Sequence, residues 1–132
     1  MLKCAIALAI LTTPVFADCP PAVATAIKKA FPKDTIARCK IDEDHFEVSF
    51  TRKGIAVDVS PAGAILQVEE TIAIKDLPAP VAKAFATKYP KAKPASAEKM
   101  TRGALVLYEV AFVSDRRHEA TFRADGLFVE EE

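Results

Sequence analysis

The chain has 132 residues, 51% of them hydrophobic, with 18 basic and 18 acidic side chains and no tryptophan. That apolar content excludes a disordered chain, which needs low hydrophobicity and a large net charge. Zero formal charge, without a Lys/Arg run interleaved with aromatics, excludes nucleic acid as an expected partner.

The first element reads as an export signal. Met1-Leu2-Lys3 carries one positive charge, Cys4 to Leu11 form an apolar run, and Val15-Phe16-Ala17 follow Thr12-Thr13-Pro14. Small or branched residues at the third and first positions before a cut complete the pattern of a secretory signal peptide, predicting cleavage between Ala17 and Asp18. The apolar run falls well short of the roughly 20 residues that span a bilayer. No later segment is a candidate span, so the mature chain is expected to carry none. A lipid-bearing cysteine is not expected, because Cys19 follows Asp18 rather than a small residue. Residues 1–17 are thus expected to leave, and the product to be periplasmic or secreted.

Cleavage removes Cys4 and leaves Cys19 and Cys39. Two cysteines in an oxidising compartment generally pair, which predicts a structural disulfide. A redox or metal pair is the poorer reading: there is no C-x-x-C, and neither His45 nor His118 stands at ligand spacing.

After Cys19 the same grammar runs twice. Pro20-Pro21 open a segment in which Val23, Ile27 and Phe31 recur every four positions, and Pro32 ends it. This predicts a short helix with one buried stripe. Strands are predicted at about Thr35–Ile41, Phe46–Thr51, Ile55–Val59 and Ala64–Glu70, divided by Asp42-Glu43-Asp44, Lys53-Gly54 and Ala62-Gly63. The second pass begins at Leu77-Pro78-Ala79-Pro80, with Asp76 as the expected N-cap. Val81, Phe85 and Tyr89 form its stripe and Pro90 its stop. Four more strands are predicted at about Ala95–Met100, Val106–Val113, Glu119–Arg123 and Leu127–Glu131. Lys91-Ala92-Lys93-Pro94 reads as the connector between this helix and its strands.

Three blocks match in the same order: the helix stripe, Phe46-Glu47-Val48-Ser49-Phe50 with Tyr108-Glu109-Val110-Ala111-Phe112, and Val57 to Gly63 with Ala120 to Gly126. The reading is therefore α+β: two tandem helix-plus-four-strand repeats, 18–75 and 76–132. Alternation places Phe46, Val48, Phe50, Tyr108, Val110 and Phe112 on one face of an antiparallel sheet, where the helices would cover them. Glu47, Ser49, Thr51, Asp58, Ser60, Glu109, Thr121 and Arg123 fall on the other. The pattern leaves open whether the two repeats share one continuous sheet.

At Leu77-Pro78-Ala79-Pro80-Val81 through Phe85, Lys88-Tyr89-Pro90, Tyr108-Glu109-Val110 and Ala124-Asp125-Gly126, the sequence resembles the PepSY-like family, whose members share the fold of the β-lactamase inhibitor protein. Phe31-Pro32, Phe46-Glu47-Val48 and Ala62-Gly63 are a degenerate copy of the same motif. The resemblance implies an exported α+β protein and, by analogy of fold, binding or inhibition of another protein such as a peptidase. It does not extend to β-lactamase inhibition itself. That inhibitor grips its target with an aromatic-rich sheet face, whereas the outward positions here are polar and the two tyrosines lie on the inward stripes.

Catalysis is not expected. No G-x-S-x-G or H-E-x-x-H motif occurs, and His45 and His118 stand at non-equivalent places in the two repeats. Asp42, Glu43, Asp44 and His45 form the densest ligand cluster and are weak metal candidates. Three adjacent acids lack the spaced oxygens and the glycine turn of a Ca²⁺ loop, so a solvated turn is the stronger reading. Arg116-Arg117-His118 could meet an acidic partner, and Glu130-Glu131-Glu132 reads as a solubilising end. Two functions stay open: an extracytoplasmic protein-binding or inhibitor-like module without cofactor, and a periplasmic binder of a small ligand or metal. The second requires Asp42, Glu43, His45 and His118 to converge.

Overall fold

The structure, a computed structural model, describes residues 19–132, so the expected signal peptide and its cleavage site lie outside the described residues. A helix and four strands come first: α1 (Pro21–Ala30), β1 (Ile36–Asp42), β2 (His45–Phe50), β3 (Ile55–Val59) and β4 (Ile65–Ile72). A 3₁₀ turn (Ile74–Asp76) then leads to α2 (Ala79–Lys88), β5 (Pro94–Arg102), β6 (Leu105–Val113), β7 (Arg117–Arg123) and β8 (Phe128–Glu131). The strands form one antiparallel eight-stranded sheet in sequence order. The seam is β4 against β5, where Val68, Glu70 and Ile72 face Thr101, Lys99 and Ala97. The two halves thus share a continuous sheet.

Both helices are set by the same local chemistry. Each carries proline in its first turn, where a missing N–H costs nothing. Lys28 and Lys29 in α1 and Lys88 in α2 lie in the last turn, complementing the helix dipole. Each ends on an aromatic residue whose N–H donates back to the stripe, Phe31 to the Ile27 carbonyl at 2.7 Å and Tyr89 to that of Phe85 at 2.9 Å. The expected Asp76 cap is corrected. Asp76 closes the 3₁₀ turn, and the N-cap of α2 is Pro78, which has no side-chain cap bond. The turn tucks Leu77 into the core instead.

The core forms on one face of the sheet, in two clusters. Under α1 lie Val23, Ile27, Cys39, Val48, Phe50, Val57 and Val59, with Phe31 and Phe46 packed against them. Under α2 lie Leu77, Val81, Phe85, Ala97, Val110, Phe112, Ala120 and Phe122, flanked by Tyr89 and Tyr108. The glycine turns close each half. The Gly63 N–H donates to Ser60 and the Gly126 N–H to Arg123, both at 2.9 Å. Each turn abuts the first residues of its helix.

Cys19 and Cys39 are disulfide-bonded, Cα–Cα 5.3 Å, tying the segment before α1 to edge strand β1. With a sequence separation of 20, loss of the bridge should cost about 3 kcal/mol on the chain-entropy model. The expected result for Cys39→Ser is that loss in a denaturant titration, with a newly reactive thiol on Cys19. A denatured wild-type protein titrating both thiols would contradict the bridge.

Candidate functional site

Among the described residues, helices cover only one face of the sheet, and strand register assembles the other. Across the first half, Lys40, Glu47, Asp58 and Gln67 form one cross-strand row, and Arg38, Ser49, Ala56 and Glu69 the next. The second row continues through Met100, Leu107 and Arg123. A further row reads Thr71, Glu98, Glu109, Thr121 and Glu130. Glu119 lies beside it, opposite Ala111, and exchanges both backbone hydrogen bonds with Glu132 at 2.8 Å. The face is polar and rich in carboxylates.

Met100, Leu107, Ala111 and Thr121 are buried to 5% exposure or less on this helix-free face. Their neighbours on the sheet enclose them, which gives the acidic rows a partly apolar floor. Thr121 and Glu109 lie on the outward face, as their alternation predicts, but Thr121 is buried and Glu109 half-buried.

Glu109 is the most perturbed carboxylate of the face. Burial pushes its pKa up to about 7, and the charges of Glu119, Glu98, Glu69 and Glu132 push the same way. A carboxyl with a raised pKa holds a proton in the folded state that the unfolded chain releases. Its stabilising contribution is therefore present at acid pH and lost as pH rises from about 4.5 to about 7. His45, raised first by its hydrogen bond to Asp44, works in the same direction, since a raised imidazole stabilises only while protonated. The melting temperature should thus fall between pH 5 and pH 8, and Glu109→Gln should flatten much of that fall. A Gln variant with the wild-type slope would remove Glu109 as its source.

The two histidines lie five strands apart in the sheet order. His45 begins β2, with Nδ1 3.3 Å from Asp44 and Nε2 3.8 Å from Asp58. His118 is the second residue of β7, where Nε2 lies 2.7 Å from Asp115 and Nδ1 3.5 Å from Glu131, and its ring stacks on Phe112. The hydrogen bond from His118, helped by Ser114, holds the Asp115 carboxyl down at about 2. Arg117 pairs with Glu119 at 3.1 Å. His118 and Arg117 are therefore engaged within the chain, and both histidine rings are largely buried rather than free at the surface. Asp42, Glu43, Asp44 and His45 do form the β1–β2 turn, with Glu43 at φ 53°. Among the described residues no group of three or more His, Cys, Asp or Glu side chains is arranged to hold a metal. No helix among them is long and apolar enough to cross a membrane.

No protein-family model and no curated protein matches the chain. Solved structures do. A protein of Bacteroides eggerthii, named as a candidate periplasmic protein, superposes with a TM-score of 0.78 at 17% identity, over 86% of this chain and 88% of its own. A DUF2874 family protein of Bacteroides uniformis gives 0.77 at 17% identity, over 86% and 88%. A BLIP-like protein of Bacteroides fragilis gives 0.72 at 19% identity, over 84% and 83%. At these identities the likeness is one of fold.

Proposed function

We propose that this chain is an exported, non-enzymatic module that binds another protein, inhibitor-like, through the open face of its sheet. It is built from two PepSY-like repeats, 18–75 and 76–132, each contributing a helix to the covered face and four strands to the open one. The observation that carries the reading is that bare face itself: eight strands wide, with an enclosed apolar floor and polar rows. A rigid sheet presents such a surface already ordered, which spares a partner the entropy of arranging it. The fold of the Bacteroides fragilis BLIP-like protein supports the assignment, and the candidate periplasmic protein of Bacteroides eggerthii supports an extracytoplasmic site of action. The small-ligand or metal alternative has less behind it, since His45 and His118 do not converge.

The test is capture of a partner from extracytoplasmic extract of the source organism by the immobilised protein and two variants. Ser49→Trp obstructs the open face; Lys83→Trp adds the same bulk to the exposed side of α2. The expected result is at least a tenfold loss of capture with the first and none with the second, at unchanged melting temperature. Equal capture by both variants would overturn the reading.

A further inference from the structure

Between β3, β4 and β5 the open face dips. Gly54, Ala56 and Thr71 are small, and the backbone N–H of Thr71 donates to the Gly54 carbonyl at 2.8 Å, drawing the strands together there. The result is a cleft of about 190 Å³ lined by Gly54, Ile55, Ala56, Glu69, Thr71 and Glu98. Small-molecule sites run to roughly 300–1,000 Å³, so this one is sized for a side chain.

Its walls are anionic. Glu69 and Glu98 stand on neighbouring strands one register step apart, Glu69 facing Met100 and Glu98 facing Thr71. Glu98 also lies directly opposite Glu109. Like charges directly opposite one another destabilise a sheet. None of the ion pairs among the described residues reaches Glu69, Glu98 or Glu109. Glu69 accepts a hydrogen bond from the Gln67 amide, to which Arg102 on β5 in turn donates, and Arg117 is paired with Glu119, so no cationic side chain pairs directly with the three carboxylates. Within the cleft, Ile55, Ala56 and Thr71 supply the apolar surface. Lysine and arginine need that combination: stems that pack on carbon and heads that reach a carboxylate.

We propose that the cleft receives a lysine or arginine side chain from an extended, basic segment of the partner protein, with Glu69 and Glu98 holding the cation and Glu109 meeting the next basic residue along. The proposal rests on the reading of the open face as a protein-binding surface and names the chemistry of its occupant. Charge complementarity selects that occupant: carboxylates gathered on one face without a direct ion-pair partner favour a cationic partner and speed its approach.

The probe is fluorescent hexalysine, with hexaglutamine as its neutral counterpart, followed by anisotropy at low salt. Hexalysine should bind and hexaglutamine should not. Glu69→Gln/Glu98→Gln should weaken hexalysine at least tenfold. Glu43→Gln/Asp44→Asn, which removes the same two charges from the β1–β2 turn, should weaken it less than twofold. The first double variant should melt no lower than wild type, because it relieves repulsion. Absence of hexalysine binding, or equal weakening by both double variants, would overturn the proposal. The capture experiment separates the two claims. A partner blocked by Ser49→Trp but retained by Glu69→Gln/Glu98→Gln would overturn the basic segment and leave the binding face standing; a partner indifferent to both would remove both.

Discussion

Phe85→Ala is expected to lower stability by about 3–5 kcal/mol, in the range of buried aromatic truncations. Phe85 is 3% exposed on the buried stripe of α2. Its ring sits 5.3 Å from Tyr89, 5.5 Å from Phe112 and 6.4 Å from Phe122, the last two edge-on. Truncation therefore empties the centre of the second cluster and forfeits edge-to-face contacts beyond the lost area. Surrounding strands are held by sheet hydrogen bonds and have little room to collapse into the gap. Urea denaturation should show the midpoint falling with the slope preserved. A cost below about 1 kcal/mol, well under the range for such truncations, would mean that α2 is not seated as described. Ile27→Ala, at 1% exposure under α1, is expected to cost about 2–5 kcal/mol for the same reason.

Gly126→Ala is the second large effect, and it comes from backbone rather than core. Gly126 has φ 92°, a conformation that L side chains rarely adopt. A Cβ there would stand 2.6 Å from the carbonyl oxygen of Pro80, at the start of α2. Neither the turn nor the helix can yield without unseating the other. Strain and overpacking together should cost about 2–5 kcal/mol. Gly63 repeats the arrangement at φ 92°, with the Ala22 carbonyl oxygen 2.7 Å from the position of its Cβ. Gly103, at φ 58° with nothing near its Cβ position, should tolerate alanine better. Equal melting temperatures for the Gly126 and Gly103 variants would contradict the docking of this turn on its helix.

The covered face was legible because its signals are local. Val48 and Phe50 alternate with Glu47, Ser49 and Thr51, and a half-buried strand needs nothing more to declare itself. The stripe Val81–Phe85–Tyr89 announced α2 in the same way. Asp76 has the side chain of a cap but not the position, because a 3₁₀ turn intervenes and Pro78 takes the cap position. The open face was legible residue by residue but not as a surface. Glu98 reaches the cleft only because β4 and β5 pair across the stretch that includes the 3₁₀ turn and α2, in a register that sets Thr71 opposite it. A slip of one residue would send every side chain of β5 to the other face. Register across so long a connection has no local signature. The engagement of His118 with Asp115 and Glu131 was hidden likewise, since Glu131 arrives on the last strand.

Glu109 joins these observations. A half-buried carboxylate facing another carboxylate weakens the free protein at neutral pH, and a cationic partner would remove that penalty on binding. Stability and recognition would thus draw on the same side chains. The cost stays modest because the hydrophobic clusters under α1 and α2 lie on the opposite face and do not depend on it.

Binding through the helix-free face is open to carboxyl footprinting of the protein with and without its captured partner. Backbone amide exchange would not separate the two faces, because alternate residues of one strand point to both. Side-chain labelling does. Labelling of Glu47, Glu69, Glu98 and Glu109 should fall in the complex, while Asp76 and Asp125, in the turns before α2 and after β7, should label as before. Protection of Asp76 and Asp125 with the four glutamates unchanged would place the partner on the helices and contradict binding through the helix-free face.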